Sequence, residues 1–267
     1  MDSKPNRSPR LRHRGSVPTR FGLARVLNKL GVCSRTQAQE LVRAGRVRVD
    51  GRVVCDPETP ADAQSRIEVD GAPVSAARKV YIALNKPRGY VTTANDEQGR
   101  DTVYALLQDA VPAGGDARWL APVGRLDKAS EGLLLFSNDS AWAARLTDPV
   151  THVDKVYHVQ IDALPETELL QRLCAGVDDD AGQRIGAKLV RELRRGEKNA
   201  WLEITLDEGR NRQIRRLLAA FDIAVLRLVR VAIGPLQLAD LPKGKWRTLD
   251  ASEIAALSPH APSGNSA

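Results

Sequence analysis

Two stretches of the 267-residue chain concentrate side chains that could react with, or bind, an anionic substrate. The first is Gly124-Arg125-Leu126-Asp127-Lys128, a carboxylate between two cations just ahead of the apolar run Gly132-Leu133-Leu134-Leu135-Phe136. A carboxylate in a loop that feeds a buried strand can serve as nucleophile or proton acceptor. As a local pattern it fits a turn or capping aspartate more simply. The second stretch is Glu208-Gly209-Arg210-Asn211-Arg212-Gln213-Ile214-Arg215-Arg216-Leu217-Leu218, with four arginines in seven residues. Ile214, Leu217, Leu218 and Phe221 make one helical stripe, which sets Arg215 beside it and Arg212 and Arg216 opposite it. A half-buried Arg215 needs a carboxylate or phosphate partner, because an unpaired buried charge is costly. Arg212 and Arg216 fit a solvated helix face equally well.

Other chemistries have no support. The three cysteines, Cys33, Cys55 and Cys174, are widely spaced without a CxxC pair, and there are only four histidines, so neither a disulfide framework nor a metal site is expected. The sequence has no dinucleotide fingerprint and no P-loop. No apolar run reaches the length of a membrane span, and the basic N-terminus has no apolar signal segment. The expected location is the cytoplasm, without a membrane partner.

The elements that must position these residues read as a mixed set. Val80 to Leu84 is a strand that stops at Asn85-Lys86-Pro87-Arg88-Gly89, where Pro and Gly demand a turn. The run 132–136 suits a strand buried on both faces, and Asn138 or Asp139 can cap a helix that ends at Asp148-Pro149. Lys155 to Ile161 alternates, with Lys155, Tyr157, Val159 and Ile161 on one face, and Trp201 to Leu206 alternates as well. Such an order predicts an α+β domain with an extended, mostly antiparallel mixed sheet and flanking helices.

Ahead of it lies a small basic module. Residues 1–20 hold six Lys/Arg and one Asp, residues 21–68 hold eight Lys/Arg and six Asp/Glu, and the rest of the chain is neutral, so the first quarter carries the whole net charge of +7. That is an electrostatic handle for a polyanion. The first 20 residues have too few apolar side chains to fold alone and read as a flexible arm; residues 258–267 read as a similar tail. From Phe21 follow a helix with Leu23, Val26, Leu27 and Leu30 on one stripe, a second helix with Ala38, Leu41 and Val42 inward, and a hairpin about Asp50-Gly51. Arg35, Gln39 and Arg43 share the outer face of the second helix, and Arg46, Arg48 and Arg52 follow. Guanidinium forks at that spacing suit phosphate oxygens, and an ordinary solvated face is the equal alternative.

Arg25-Val26-Leu27-Asn28-Lys29, Cys33-Ser34-Arg35 and Ala44 to Gly51 closely resemble the S4 RNA-binding domain, which implies recognition of structured RNA by shape and backbone. Further on, Asn85-Lys86-Pro87-Arg88-Gly89-Tyr90, Gly124-Arg125-Leu126-Asp127 with Gly132-Leu133-Leu134, Lys155-Val156-Tyr157, and Gly209 to Arg216 resemble, in that order, the ribosomal RNA pseudouridine synthases of the RsuA/RluB/RluF type. Ser130 and Leu217 stand where that family frequently has Thr and Met. The resemblance implies an S4 domain over 21–69, a linker over 70–79 and a synthase domain over 80–257, acting as a monomer on ribosomal RNA without a cofactor. It implies Asp127 as the essential carboxylate, Arg215 as its basic partner and Tyr157 as the aromatic that packs on a flipped uracil, with Arg125, Leu126 and Ile214 shaping the pocket. Asp127 would attack ribose C1′ or take the 2′ proton after the base departs; addition at uracil C6 is a third route, and the residues do not choose among them. RNA contacts would come from Arg25, Lys29, Arg35, Gln39, Arg43, Arg46, Arg48, Arg52, Lys86, Arg88, Lys155, Arg210 and Arg212. The rival is a non-catalytic S4-type RNA-binding or ribosome-assembly factor, which would be marked by loss of Asp127, Tyr157 or Arg215. Asn95 to Arg100 and Asn211 to Arg216 lie closer to the large-subunit branches, and the small subunit stays the alternative.

Overall fold

A computed structural model describes residues 20–62, 64–94, 96–110, 119–178 and 182–258. Apart from Arg20 and Ser258, the arm and tail expected at the two ends lie outside the described residues. The chain divides into two compact units. One joins Arg35–Val74 to the described residues before Asn28, and the other joins Asn28–Ser34 to the chain from Ser75 onwards.

The first unit contains α1 (Leu23–Lys29) up to Leu27, α2 (Arg35–Arg43), and strands β1 (Val47–Val49), β2 (Arg52–Val54), β3 (Ile67–Val69) and β4 (Ala72–Pro73). The strands form one antiparallel sheet in the order β2-β1-β3-β4. Asp50 and Gly51 join β1 to β2 with φ of 50° and 80°, the pair of positive values that a tight hairpin turn needs. Leu23, Leu27, Ala38, Val42, Val47 and Ile67 are buried, so apolar stripes at helical and strand spacing meet in one small core. β4 takes the first residues of the expected linker into this sheet, because Val69 and Ala72 pair across the turn at Asp70-Gly71.

The second unit is built on a nine-stranded sheet, counted among the described residues. Its members are β5 (Tyr81–Lys86), β6 (Ala121–Val123), β7 (Glu131–Ser137), β8 (Lys155–Ile161), β9 (Leu189–Arg195), β10 (Ala200–Leu206), β11 (Val225–Ile233), β12 (Leu236–Gln237) and β13 (Trp246–Thr248). The order is β9-β10-β8-β11-β7-β5-β13, with β6 added to β7 and β12 to β11. Among the described residues the pairings in this sheet are antiparallel except β11 with β7, which run parallel. Helices α3 (Ser140–Thr147), α4 (Thr167–Ala175), α5 (Gln213–Ala219) and α6 (Ala251–Ala256) flank it. Asp139 caps α3, its carboxylate accepting from the backbone N–H of Ala141 and Trp142.

All seven residues of β7 are buried, since the strand lies inside the sheet and both faces are covered. Leu134 and Phe136 enter one core with Ile82, Val159, Leu202 and Leu217, while Leu133 and Leu135 enter the other with Trp142, Leu146 and Leu249. The two-residue alternation of a strand therefore divides one apolar run between two cores. Gly132 permits the parallel pairing. Its φ is 100°, and a Cβ there would stand 2.8 Å from Arg230 N and closer still to the Arg230 carbonyl oxygen.

Candidate active site

Asp127 sits in the loop between β6 and β7, and that loop is pinned by the segment that follows β5. Lys86 Nζ donates to the carbonyl oxygens of Pro87 (3.2 Å), Asp127 (3.0 Å) and Ser130 (2.8 Å), using all three ammonium hydrogens. Gly89 N–H donates to Lys128 O (2.8 Å). Thr92 Oγ1 donates to Leu126 O (2.7 Å) and accepts from Leu126 N at 3.4 Å. The Asp127 carboxylate itself remains about a third exposed.

Lys86 corrects the sequence reading, which put it among the RNA contacts. It is 0% exposed, because β5 runs on through Lys86 into the buried middle of the sheet instead of stopping at Leu84. Burial lowers its pKa to about 8, against the opposing pull of Asp127 and Glu131, with Arg230 lowering it further. Its role in the structure is to hold a loop.

The second arginine-rich stretch reaches the same place by a different geometry from the expected one. The helical wheel set Arg212 opposite the apolar stripe, but α5 begins at Gln213 and Arg212 precedes it with φ 50°. Arg212 is therefore outside the helix, and its guanidinium comes to 4.0 Å from the Asp127 carboxylate. A non-glycine residue in the left-handed region is strained and persists where its surroundings over-determine it. Here the buried Gln213 supplies part of that restraint, donating to Gly186 O (3.0 Å) and Glu208 Oε1 (2.7 Å) and accepting from Arg210 N (3.3 Å).

Arg215 lies on α5 proper and is half-buried, as its edge-of-stripe position predicts. It donates to Val225 O (3.2 Å) and, at 3.5 Å, to Ala129 O, while its buried Nε has no partner. Burial lowers its pKa, Arg212 and Arg88 add to the effect, and Asp127 opposes it. The ion pair with Asp127 is thus made by Arg212, and Arg215 ties the helix to the Asp127 loop at the Ala129 carbonyl and to the start of β11 at the Val225 carbonyl.

A cleft of about 710 Å³ collects these groups. Leu126, Tyr157 and Ile214, each less than a tenth exposed, form an apolar wall beside Asp127. Six cations line the cleft, Arg125, Lys155, Arg210, Arg212, Arg215 and Arg230, against the two acids Asp127 and Glu208. A stretch of chain from residue 69 onwards that is neutral in sum therefore encloses a strongly positive cleft, a site suited to a polyanion carrying a flat, partly apolar group. Burial lowers the Lys155 pKa, and Arg230 lowers it further. Arg210 is steered by Glu208 (2.8 Å) and by Arg184 O (2.8 Å), and Arg88 is exposed. Sequence reasoning missed Thr92 and Arg230; two arginines set in the apolar run of β11 were the available sign for Arg230.

Comparison with known proteins gives the decisive match. Residues 80–220 fit the family model described as RNA pseudouridylate synthase, and residues 21–67 fit the S4 domain. The chain belongs to the RNA pseudouridine synthase family. It is 39% identical to an uncharacterized RNA pseudouridine synthase of Aquifex aeolicus, over 87% of this chain and 92% of the relative. It is 34% identical to the ribosomal large subunit pseudouridine synthase B of Bacillus subtilis, over 88% and 94%. A solved pseudouridylate synthase covers 89% of this chain and is itself covered in full, at 26% identity and a TM-score of 0.62.

In the S4 unit of this synthase, Arg35, Arg43, Arg46, Arg48 and Arg52 are exposed and Gln39 is partly so. Arg46 is held by Asp70 through a two-pronged pair at 2.7 and 2.6 Å, Arg35 lies 3.9 Å from Glu58, and Arg25 stacks on Phe21 with its guanidinium 4.5 Å from the ring centre. Lys29 is exposed at the end of α1. Among the described residues no helix is long and apolar enough to cross a membrane.

Proposed function

We propose that this protein converts a uridine of large-subunit ribosomal RNA into pseudouridine, with Asp127 as the reacting carboxylate. The observation that carries this reading is a partly exposed Asp127 in a cleft with four more cations than acids and a wall of Leu126, Tyr157 and Ile214. Relatives named ribosomal large subunit pseudouridine synthase B, from Bacillus subtilis at 34% and Salmonella typhimurium at 36% identity, support the choice of substrate.

The reaction breaks the bond from ribose C1′ to uracil N1, turns the base and joins C1′ to C5, releasing the C5 proton and taking one up at N1. Its balance needs neither redox change nor hydrolysis, so side chains can carry it. Inside a duplex the glycosidic bond is out of reach, so the nucleotide must be flipped. The Tyr157 ring then replaces the lost stacking, at about 1–3 kcal/mol per base. Asp127 acts on the ribose, Arg212 and Arg215 keep it aimed, and Arg88, Arg125, Lys155 and Arg210 hold phosphates. The S4 unit docks structured RNA through Arg25, Lys29, Arg35, Gln39, Arg43, Arg46, Arg48 and Arg52, and the basic arm adds attraction at longer range. The protein acts as a monomer in the cytoplasm, where ribosomal RNA is assembled.

The test is tritium release from ribosomal RNA transcripts carrying 5-tritiated uridine. Wild type releases tritium from the large-subunit transcript, and Asp127→Ala releases none. Release from the small-subunit transcript alone would move the substrate, and an active Asp127→Ala would remove the aspartate from the chemistry.

A further inference from the structure

Arg230 is the cleft residue whose charge is least accounted for. It lies on β11 directly across from Tyr157 of β8, so both side chains belong to the same face of the sheet. It is 5% exposed, and its Nε donates to Leu133 O at 2.7 Å. Its Nη2 is buried with no partner, and among the described residues it forms no ion pair. A guanidinium has five donors, and burying one without a carboxylate is among the costlier arrangements a core can hold. The nearest cations make matters worse, since Arg230 depresses the pKa of both Lys86 and Lys155, after burial itself. Nothing in the packing explains such a charge at this depth, beside the stacking tyrosine.

We propose that Arg230 is a further catalytic residue, whose guanidinium donates to a uracil carbonyl oxygen and takes up the negative charge the base acquires when it leaves the ribose. The inference rests on the isomerase reading. When the C1′–N1 bond breaks, its electron pair goes to the uracil ring and spreads over N1 and the carbonyl oxygens. Bonding of C5 to C1′ returns that electron pair to the ribose and cancels the negative charge, and the neutral ring then loses the C5 proton to solvent and takes up a proton at N1. A cation without a counter-ion is complementary to that intermediate and poorly complementary to the neutral base, the difference that lowers a barrier. A phosphate is the less suitable ligand. It is strongly hydrated, and the exposed Arg88, Arg125 and Arg212 offer it contacts near solvent, whereas Arg230 is 5% exposed and lies across from the Tyr157 ring.

The experiment combines two readouts on the full-length protein. Single-turnover tritium release should fall about 100-fold in Arg230→Met, the scale set by losing one donor to a developing anion. Arg230→Lys should fall less, and melting curves of both variants check the fold. The second readout is calorimetric binding of free uracil and of barbiturate, a planar pyrimidine ring that is an anion at neutral pH. Wild type should prefer barbiturate by at least about tenfold, and Arg230→Met should lose most of that preference, because a cation held out of water attracts an anionic ring more strongly than the exposed arginines of the cleft do. Equal preference in wild type and Arg230→Met, or none in wild type, overturns the assignment. A phosphate role would show instead as a shallower salt dependence of RNA affinity, by about 0.7 in slope, with an unchanged rate at saturation. Wild type that releases no tritium would remove the isomerase reading, while the barbiturate comparison would still report on the site.

Discussion

Replacing Lys86 by Met tests whether a buried ammonium, and not a phosphate contact, organises the Asp127 loop. Met matches the length of the stem and removes three donors at once. The Ser130 carbonyl is bonded in fully buried surroundings and cannot recruit water, so it bears the whole loss, about 1–3 kcal/mol. The Pro87 and Asp127 carbonyls are bonded at part-buried positions and recover some hydration. Against this, the ammonium no longer has to be kept out of water, a cost already visible in a pKa lowered to about 8. The net expectation is a destabilisation of roughly 2–4 kcal/mol, readable as a lower urea midpoint with an unchanged slope. A pH series adds a second signature. With a folded pKa near 8 and an ordinary value when unfolded, the unfolded chain binds more protons above about pH 8. The Lys86 contribution therefore makes stability rise with pH across that window, and the rise should vanish in Lys86→Met. Turnover should fall by about 100-fold, because a loop freed by 1 Å misplaces Asp127. A variant with wild-type stability and rate, but weaker and less salt-sensitive RNA binding, would refute this reasoning and restore Lys86 as a phosphate contact.

Three further outcomes are expected. Arg215→Ala should lower single-turnover tritium release about 100-fold with little change in RNA affinity, since its guanidinium donates to the carbonyls of Val225 and Ala129; equal losses in rate and affinity would make it an RNA contact. Gly132→Ala should cost more than about 3 kcal/mol in urea unfolding, because the added methyl meets the Arg230 backbone at a positive φ. A cost under about 1 kcal/mol would mean that the parallel pairing yields easily. Deleting residues 1–20, with six Lys/Arg and one Asp, should weaken RNA affinity and flatten its salt dependence while the saturating rate is kept; normal binding with lost turnover would contradict that separation.

Local signals in the chain were strong where conformational preference acts within a few residues. Asp50-Gly51 specifies a hairpin because both positions accept positive φ, and the alternation in Lys155 to Ile161 sets which residues of β8 face the core. The Asp127 loop, Tyr157 and the arginines near Arg215 were likewise legible, because ordered motifs carry them past the ambiguity of any single stretch. What the chain could not show by itself were meetings between distant residues. Lys86 is buried because β5 pairs with β7 on one face of a crowded turn, a matter of sheet order and not of the polar sequence around it. Arg212 reaches Asp127 because one residue adopts a left-handed conformation just before α5, which cancels the helical phase on which the wheel relies. Strands β9 and β11 and helix α4 were not anticipated, since charged residues and short apolar stretches blur their periods. Arg230 acquires its meaning only from the parallel pairing with β7 and the antiparallel pairing with β8, which join residues about a hundred and about seventy positions apart. Short-range torsional and solvation preferences are written residue by residue, whereas the electrostatics of a buried site depends on which strands lie side by side.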